Sequence, residues 1–332
     1  MRGNRVIRIG REEFIEGIRP LEERFDLRLS STLTDYTVGP GENIVKAAMF
    51  PQPEILFTFR TAPKDDPEAF VLKEPPGPER PLLLVGVRPC DARSIHLNSM
   101  AYEEDSYFTR RMEQSLVFGL LCREMLKTCF CRKVGTGPLD FRHMDIAMME
   151  DETGRLLVFP TSKKGEDFFE EVLLAVLGRA EKEDMAMTSF QHEVFNEKYD
   201  DTVLATLLSR DLMELYGAGF WSTIKDACLN CGICTFRCPT CYCFDIQDET
   251  QGIKGRRIRY WDSCMFPLFT FHASGHNPRG QKVARVRNRF MHKFKYFPDR
   301  FGAISCVGCG RCIRECPVNI DVREVMELMI GV

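Results

Sequence analysis

Two runs of cysteine in this chain share one spacing. Cys228, Cys231, Cys234 and Cys238, followed by Pro239, read C-x2-C-x2-C-x3-C-P, and Cys306, Cys309, Cys312 and Cys316, followed by Pro317, read the same. That spacing binds 4Fe-4S clusters in pairs, with the fourth cysteine of each run ligating the other cluster. The expected ligand sets are therefore crossed: Cys228, Cys231, Cys234 and Cys316 for one cluster, and Cys306, Cys309, Cys312 and Cys238 for the second. Three soft thiolates in close succession suit three corners of a cubane, and the remote fourth completes the cage and ties the two runs together. Gly232, Gly308 and Gly310 give the ligand loops conformations that a Cβ disfavours, and each proline redirects the chain after its run. Structural zinc sites instead pair two C-x2-C halves across a spacer, so zinc is the weaker reading. Arg237, Arg311 and Arg314 sit within these runs, where positive charge is expected to raise cluster potentials by stabilising the reduced, more negative state.

Seven further cysteines need placing. Cys90 follows the apolar run 82–87 through Arg88-Pro89, with Asp91 positioned to cap a following helix, and Cys122 closes the apolar run 115–121. If those runs are parallel neighbouring strands, both thiols emerge at one carboxyl edge of a sheet, where α/β folds build their sites. Cys129 and Cys131 arrive within a few residues, followed by the loop 135–138, so the four thiols are expected to hold a third 4Fe-4S cluster; the alternatives are buried small hydrophobes, zinc or a redox-active pair. Cys241, Cys243 and Cys264 read as packing against the clusters, with a redox-active thiol pair or extra ligands for a modified cluster as the other readings. His272, His276 and His292 have no H-E-x-x-H frame around them, and the chain carries no strand-following G-x-G-x-x-G, no phosphate-binding Walker loop and no nucleophile elbow. No catalytic residue is assigned.

The elements that must position these cysteines follow from the rest of the chain. Its 332 residues are 44% apolar and 28% charged with a net charge of -3, which suits a folded globular protein and excludes disordered and collagen-like classes. No apolar run reaches the roughly 20 residues of a membrane span, and the start lacks the apolar stretch of a secretory signal, so a cytoplasmic protein without membrane attachment is expected. Fifteen cysteines, eleven of them from position 228 onward, point in a reducing compartment to metal or clusters rather than disulfides. Residues 1–205 read as an α/β domain, with strands at 55–59, 82–87, 116–121 and 156–159, a helix at 167–177 and an exposed proline-rich loop at 61–81. Residues 206–332 read as an α-helical ferredoxin-type domain around the two cluster motifs, strand signals having disappeared. Between 145 and 214 seventeen acids face seven Lys or Arg, whereas 252–300 holds twelve Lys or Arg against two acids. The basic segment reads as a solvated face plus counter-charges for anionic clusters, or else as a surface for an acidic partner. No nucleic-acid module accompanies it.

Several segments together resemble a known family. GVRPCDARSI (86–95), CFC with a following G-x-G (129–137), CPTCYCFD (238–245), WDSC (261–264), GHNPR (275–279), RNRFMHKFKY (287–296) and CVGCGRCIRECPVNID (306–321) look like the beta subunits of sulfhydrogenases and the A subunits of anaerobic sulfite reductases, over roughly residues 45–325. The resemblance implies an iron-sulfur electron-transfer subunit of a multi-subunit anaerobic complex. In such complexes FAD lies on a partner subunit that exchanges electrons with NAD(P)H, and a catalytic subunit of hydrogenase, sulfite reductase or heterodisulfide reductase type stands at the other end. The Pro-Cys-Asp strand end is also similar to the beta subunits of deazaflavin-reducing hydrogenases. The alternative function is therefore a flavin-binding or thiol-active subunit acting directly on a sulfur compound or deazaflavin.

Overall fold

The computed structural model describes residues 5–34, 44–62, 64–67, 69, 71–178, 181–184, 199 and 201–332. Its larger sheet has seven strands in the order β2-β4-β5-β6-β7-β1-β8, formed by β1 (Arg5–Ile9), β2 (Asp26–Leu29), β4 (Leu82–Val87), β5 (Ser115–Leu120), β6 (Ile146–Glu150), β7 (Leu156–Pro160) and β8 (Glu181–Asp184). β2, β4, β5 and β6 run parallel, and β7, β1 and β8 complete the sheet through antiparallel pairings. Every residue of β4 and β5 is buried, as expected of central strands covered on both faces. The helices α1 (Arg11–Ile18), α2 (Ile44–Met49), α3 (Pro89–Ala101), α4 (Ser106–Glu113) and α5 (Lys163–Phe168) supply that cover. α5 continues through a π-helical turn at Phe169–Leu173, so the helical reading of 167–177 matches the fold in kind.

Asp91 does not cap α3. Pro89 takes the first helical position and Arg88 becomes the N-cap, because a ring-fixed φ and a missing N–H suit the first turn. The Asp91 carboxylate is thereby free to meet Arg311 across the molecule, with both contacts at 2.6 Å.

The second region departs from the all-helical expectation. α6 (Thr202–Ser209), α7 (Phe220–Ala227), α8 (Lys282–Met291) and α9 (Val322–Ile330) are helical, but β9 (Phe244–Gln251) and β10 (Lys254–Trp261) form a hairpin between the cysteine runs. β10 also pairs with β3 (Glu54–Arg60), so the 55–59 strand belongs to this smaller antiparallel sheet and not to the large one. Seven of the eight β9 residues are exposed, and its acids pair with the arginines of β10, Arg257 with Asp248 and Arg256 with Glu249. A strand wet on both faces carries no apolar alternation, which is why the periodicity that finds buried strands passes over it.

This sheet joins the two regions. Glu54 on β3 is gripped by Arg111 of α4 and Arg259 of β10, and Arg259 also reaches Asp105. The Trp261 indole N–H donates to Phe50 O at 2.8 Å. Among the described residues no helix is long and apolar enough to cross a membrane.

Candidate iron-sulfur centres

The first cavity is lined by Cys228, Cys231 and Cys234 of one run together with Cys316, the fourth cysteine of the other. The loop that carries the first three bends through positive φ at Asn230 (56°) and Gly232 (79°). Backbone N–H groups point at its sulfurs, from Asn230 to Cys228 Sγ at 3.3 Å and from Ile320 to Cys316 Sγ at 3.2 Å. Cys312 lies in the wall of the same cavity. Cys231 is exposed, and Leu229 beside it is 63% exposed.

The thiols of Cys238, Cys306, Cys309 and Cys312 are electrostatic neighbours of one another. Burial pushes Cys306 up to about 11 and raises Cys309 and Cys312 as well. Buried thiols in apolar surroundings keep their protons until a metal displaces them. Cys238 differs. Its hydrogen bond with Cys241 lowers it well below the usual thiol range against the effect of burial, with Lys293 and Arg289 adding to the fall.

The third set converges as the strand pairing requires. β4 and β5 are parallel neighbours, Leu84 beside Val117 and Val87 beside Gly119, and they deliver Cys90 and Cys122 to one edge. Cys90, Cys122, Cys129 and Cys131 line a single cavity, and Cys309 lines it too. Burial raises Cys90 far above the ordinary thiol value and Cys122 to about 11.

The contact between this cavity and the second cysteine run is close. The Phe130 N–H donates to the carbonyl oxygen of Gly308 (φ 62°) at 2.8 Å. A Cβ on Gly308 would lie 2.4 Å from the Cys131 backbone N, and one on Gly310 would lie 2.4 Å from Thr128 O. Both glycines are needed for approach as well as for backbone conformation. The Arg314 guanidinium bonds Thr128 Oγ1 at 3.0 Å and Cys309 O at 3.1 Å, while Arg311 and Asp91 form a buried bidentate pair.

These pairings revise the expected electrostatics. Arg311 is neutralised by Asp91 and Arg237 is paired with Glu315, so neither stands as a bare charge beside the sulfurs. The basic segment 252–300 is the expected source of counter-charge, and within it the structure singles out Arg289 and Lys293. They lie four residues apart, 3% and 2% exposed, on α8 and its π-helical continuation His292–Tyr296. Lys293 Nζ is 3.2 Å from Cys238 Sγ and also donates to Thr240 Oγ1 at 2.9 Å and Ser305 O at 2.8 Å. Arg289 donates to Cys241 Sγ at 3.3 Å and Cys234 O at 2.8 Å, and its Nε is buried with no hydrogen-bond partner. Among the described residues neither cation has a carboxylate partner at ion-pair distance. The available signal was the i, i+4, i+8 spacing of Arg285, Arg289 and Lys293, three basic residues on one helical face flanked by Val286, Phe290 and Phe294.

The residues present fit iron-sulfur clusters. The donors are all thiols, the ligand loops carry N–H groups aimed at sulfur, and buried cations stand where anionic cages would supply the missing counter-charge. Among the described residues no three His, Cys, Asp or Glu side chains converge as ligands of a single metal ion; a cubane takes one thiolate per iron, which spaces its ligands more widely.

Residues 227–320 match the 4Fe-4S dicluster domain family. Sulfhydrogenase 2 subunit beta of Pyrococcus furiosus is 32% identical over 255 residues, covering 74% of this chain and 73% of that protein. No solved structure matches the chain.

Proposed function

The chain belongs to the family of sulfhydrogenase beta subunits, and on that premise we propose that it is the iron-sulfur relay of a multi-subunit redox complex, carrying single electrons between a flavin subunit that uses NAD(P)H and a catalytic reductase or hydrogenase subunit. The observation that carries this reading is the adjacency of three thiol-lined sites. Cys312 stands between the first and second, and Cys309 between the second and third.

In this reading Cys228, Cys231, Cys234 and Cys316 hold the first cluster, Cys238, Cys306, Cys309 and Cys312 the second, and Cys90, Cys122, Cys129 and Cys131 the third. Bound there, the clusters supply one-electron oxidation and reduction without proton chemistry on substrate. The chain's own residues set the conditions. The apolar core holding Val286, Phe290, Met326 and Met329 walls the first two sites, Arg289 and Lys293 compensate the negative charge, and the exposed Cys231 end with Leu229 offers a contact for a partner. FAD is assigned to the partner subunit.

The test is to mix the isolated, iron-loaded chain with reduced viologen and separately with NAD(P)H. Reduction by the viologen, with no NAD(P)H oxidation until a flavin subunit is added, is the expected result. Stoichiometric flavin on the purified chain, or NAD(P)H oxidation by the chain alone, would favour the flavin-binding alternative and overturn the relay.

A further inference from the structure

Cys241, Cys243 and Cys264 fall outside the three ligand sets. The hairpin of β9 and β10 ends on the pair Phe244 and Trp261, and one step beyond it the Asp262 N–H donates to Cys243 O at 2.9 Å. That closure brings Cys243 to the segment that carries Cys264 two residues on. Cys264 is buried in an apolar core, and Cys243 packs against that same core.

The segment bearing Cys264 is pinned to the first cysteine run on both sides. Thr235 Oγ1 donates to Ser263 Oγ at 2.8 Å, and Asn230 Nδ2 donates to Met265 O at 2.9 Å. Cys264 itself is 7% exposed and shares an apolar core with Cys228 and Cys234. On the other side of the pair, buried Lys46 directs its Nζ at Thr235 O (3.0 Å) and Phe236 O (3.1 Å) and lies 4.4 Å from the Trp261 ring centroid.

We infer that Cys243 and Cys264 form a redox-active dithiol and disulfide pair beside the first cluster site, a two-electron store on a path of one-electron carriers. The inference rests on the iron-sulfur reading for its electron source. In the reducing direction the Cys243–Cys264 S–S bond breaks, two electrons arrive singly from reduced 4Fe-4S clusters that return to their oxidised state, and one proton adds to each sulfur. Oxidation reverses each step, forming the S–S bond and releasing two protons while two clusters are reduced. The two sulfurs are unequal. The hydrogen bond from Cys264 outweighs burial and, with Lys46 and Arg289 nearby, lowers Cys243 to about 7, while the same hydrogen bond and burial raise Cys264.

The test uses the anaerobically purified, iron-loaded chain. One portion is oxidised with a dithiol-selective disulfide and another reduced with dithionite; each is quenched in acid, alkylated unfolded and digested. A peptide linking Cys243 to Cys264 in the first portion and its absence in the second are expected, along with about two more electrons taken up per chain than the clusters account for. Cys243→Ser and Cys264→Ser should abolish the extra uptake and keep the full iron content. Alkylation of both thiols in the oxidised portion would overturn the inference, as would loss of about four irons from either variant, which would make the residues ligands. A wild-type chain without iron would sink the relay reading instead, and the peptide measurement on unfolded protein would still report on the pair.

Discussion

A Cys90→Ser, Cys122→Ser double variant is expected to lose about a third of the chain's iron, roughly four atoms of twelve, while the spectra of the other two clusters persist. The expectation follows from the sheet. β4 and β5 are fully buried parallel neighbours, and the two thiols stand just past their ends, so serine replaces sulfur at the cavity wall without entering the core. Two oxygens cannot replace two thiolates as soft donors, and a cubane with half its cage gone is not retained. Iron per chain and circular dichroism on the same samples check both halves. An unchanged iron content with an intact fold would remove the third cluster and leave the α/β domain outside the relay.

Lys293→Met is expected to lower the midpoint potential of the second cluster by about 60–120 mV, one to two factors of ten in its reduction equilibrium. The sign follows from charge. Reduction adds one negative charge to the cage, and a buried ammonium 3.2 Å from Cys238 Sγ stabilises that state more than the oxidised one. With the cation removed, reduction becomes less favourable. Methionine preserves most of the volume, and Lys293→Arg restores the charge, so the pair separates electrostatics from packing. An EPR-monitored redox titration reads the result. A potential unchanged in Lys293→Met, or lowered equally in Lys293→Arg, would show that the ammonium charge does not set it.

The parts of the site that were legible from sequence are those with an obligatory spacing. Two C-x2-C-x2-C-x3-C-P runs announced paired clusters, and an apolar run ending in Pro-Cys beside another ending in Cys placed two thiols at one sheet edge once the strands were taken as parallel. What escaped depended on contacts distant in sequence. The β9–β10 hairpin is held by cross-strand ion pairs such as Arg257 with Asp248 and by β3, nearly two hundred residues upstream, and neither leaves an apolar period. The basic segment that holds Arg289 and Lys293 reads as a solvated face plus counter-charges for anionic clusters, and because basic residues are rarely buried nothing local marks which of its cations go inside. Asp91 looked like a helix cap because its partner, Arg311, lies 220 positions away. The α/β reading of the first region followed from local pattern, whereas the hairpin of the second region and the electrostatics of the site needed the third dimension.

Iron, acid-labile sulfide and integrated EPR spin per chain in the anaerobically purified, dithionite-reduced protein test the three-site relay most directly. About twelve irons and twelve sulfides are expected, with spin approaching three reduced centres per chain that interact magnetically because their ligand sets adjoin. About eight irons would contradict the three-site relay, and a colourless protein carrying zinc would contradict the iron-sulfur reading altogether.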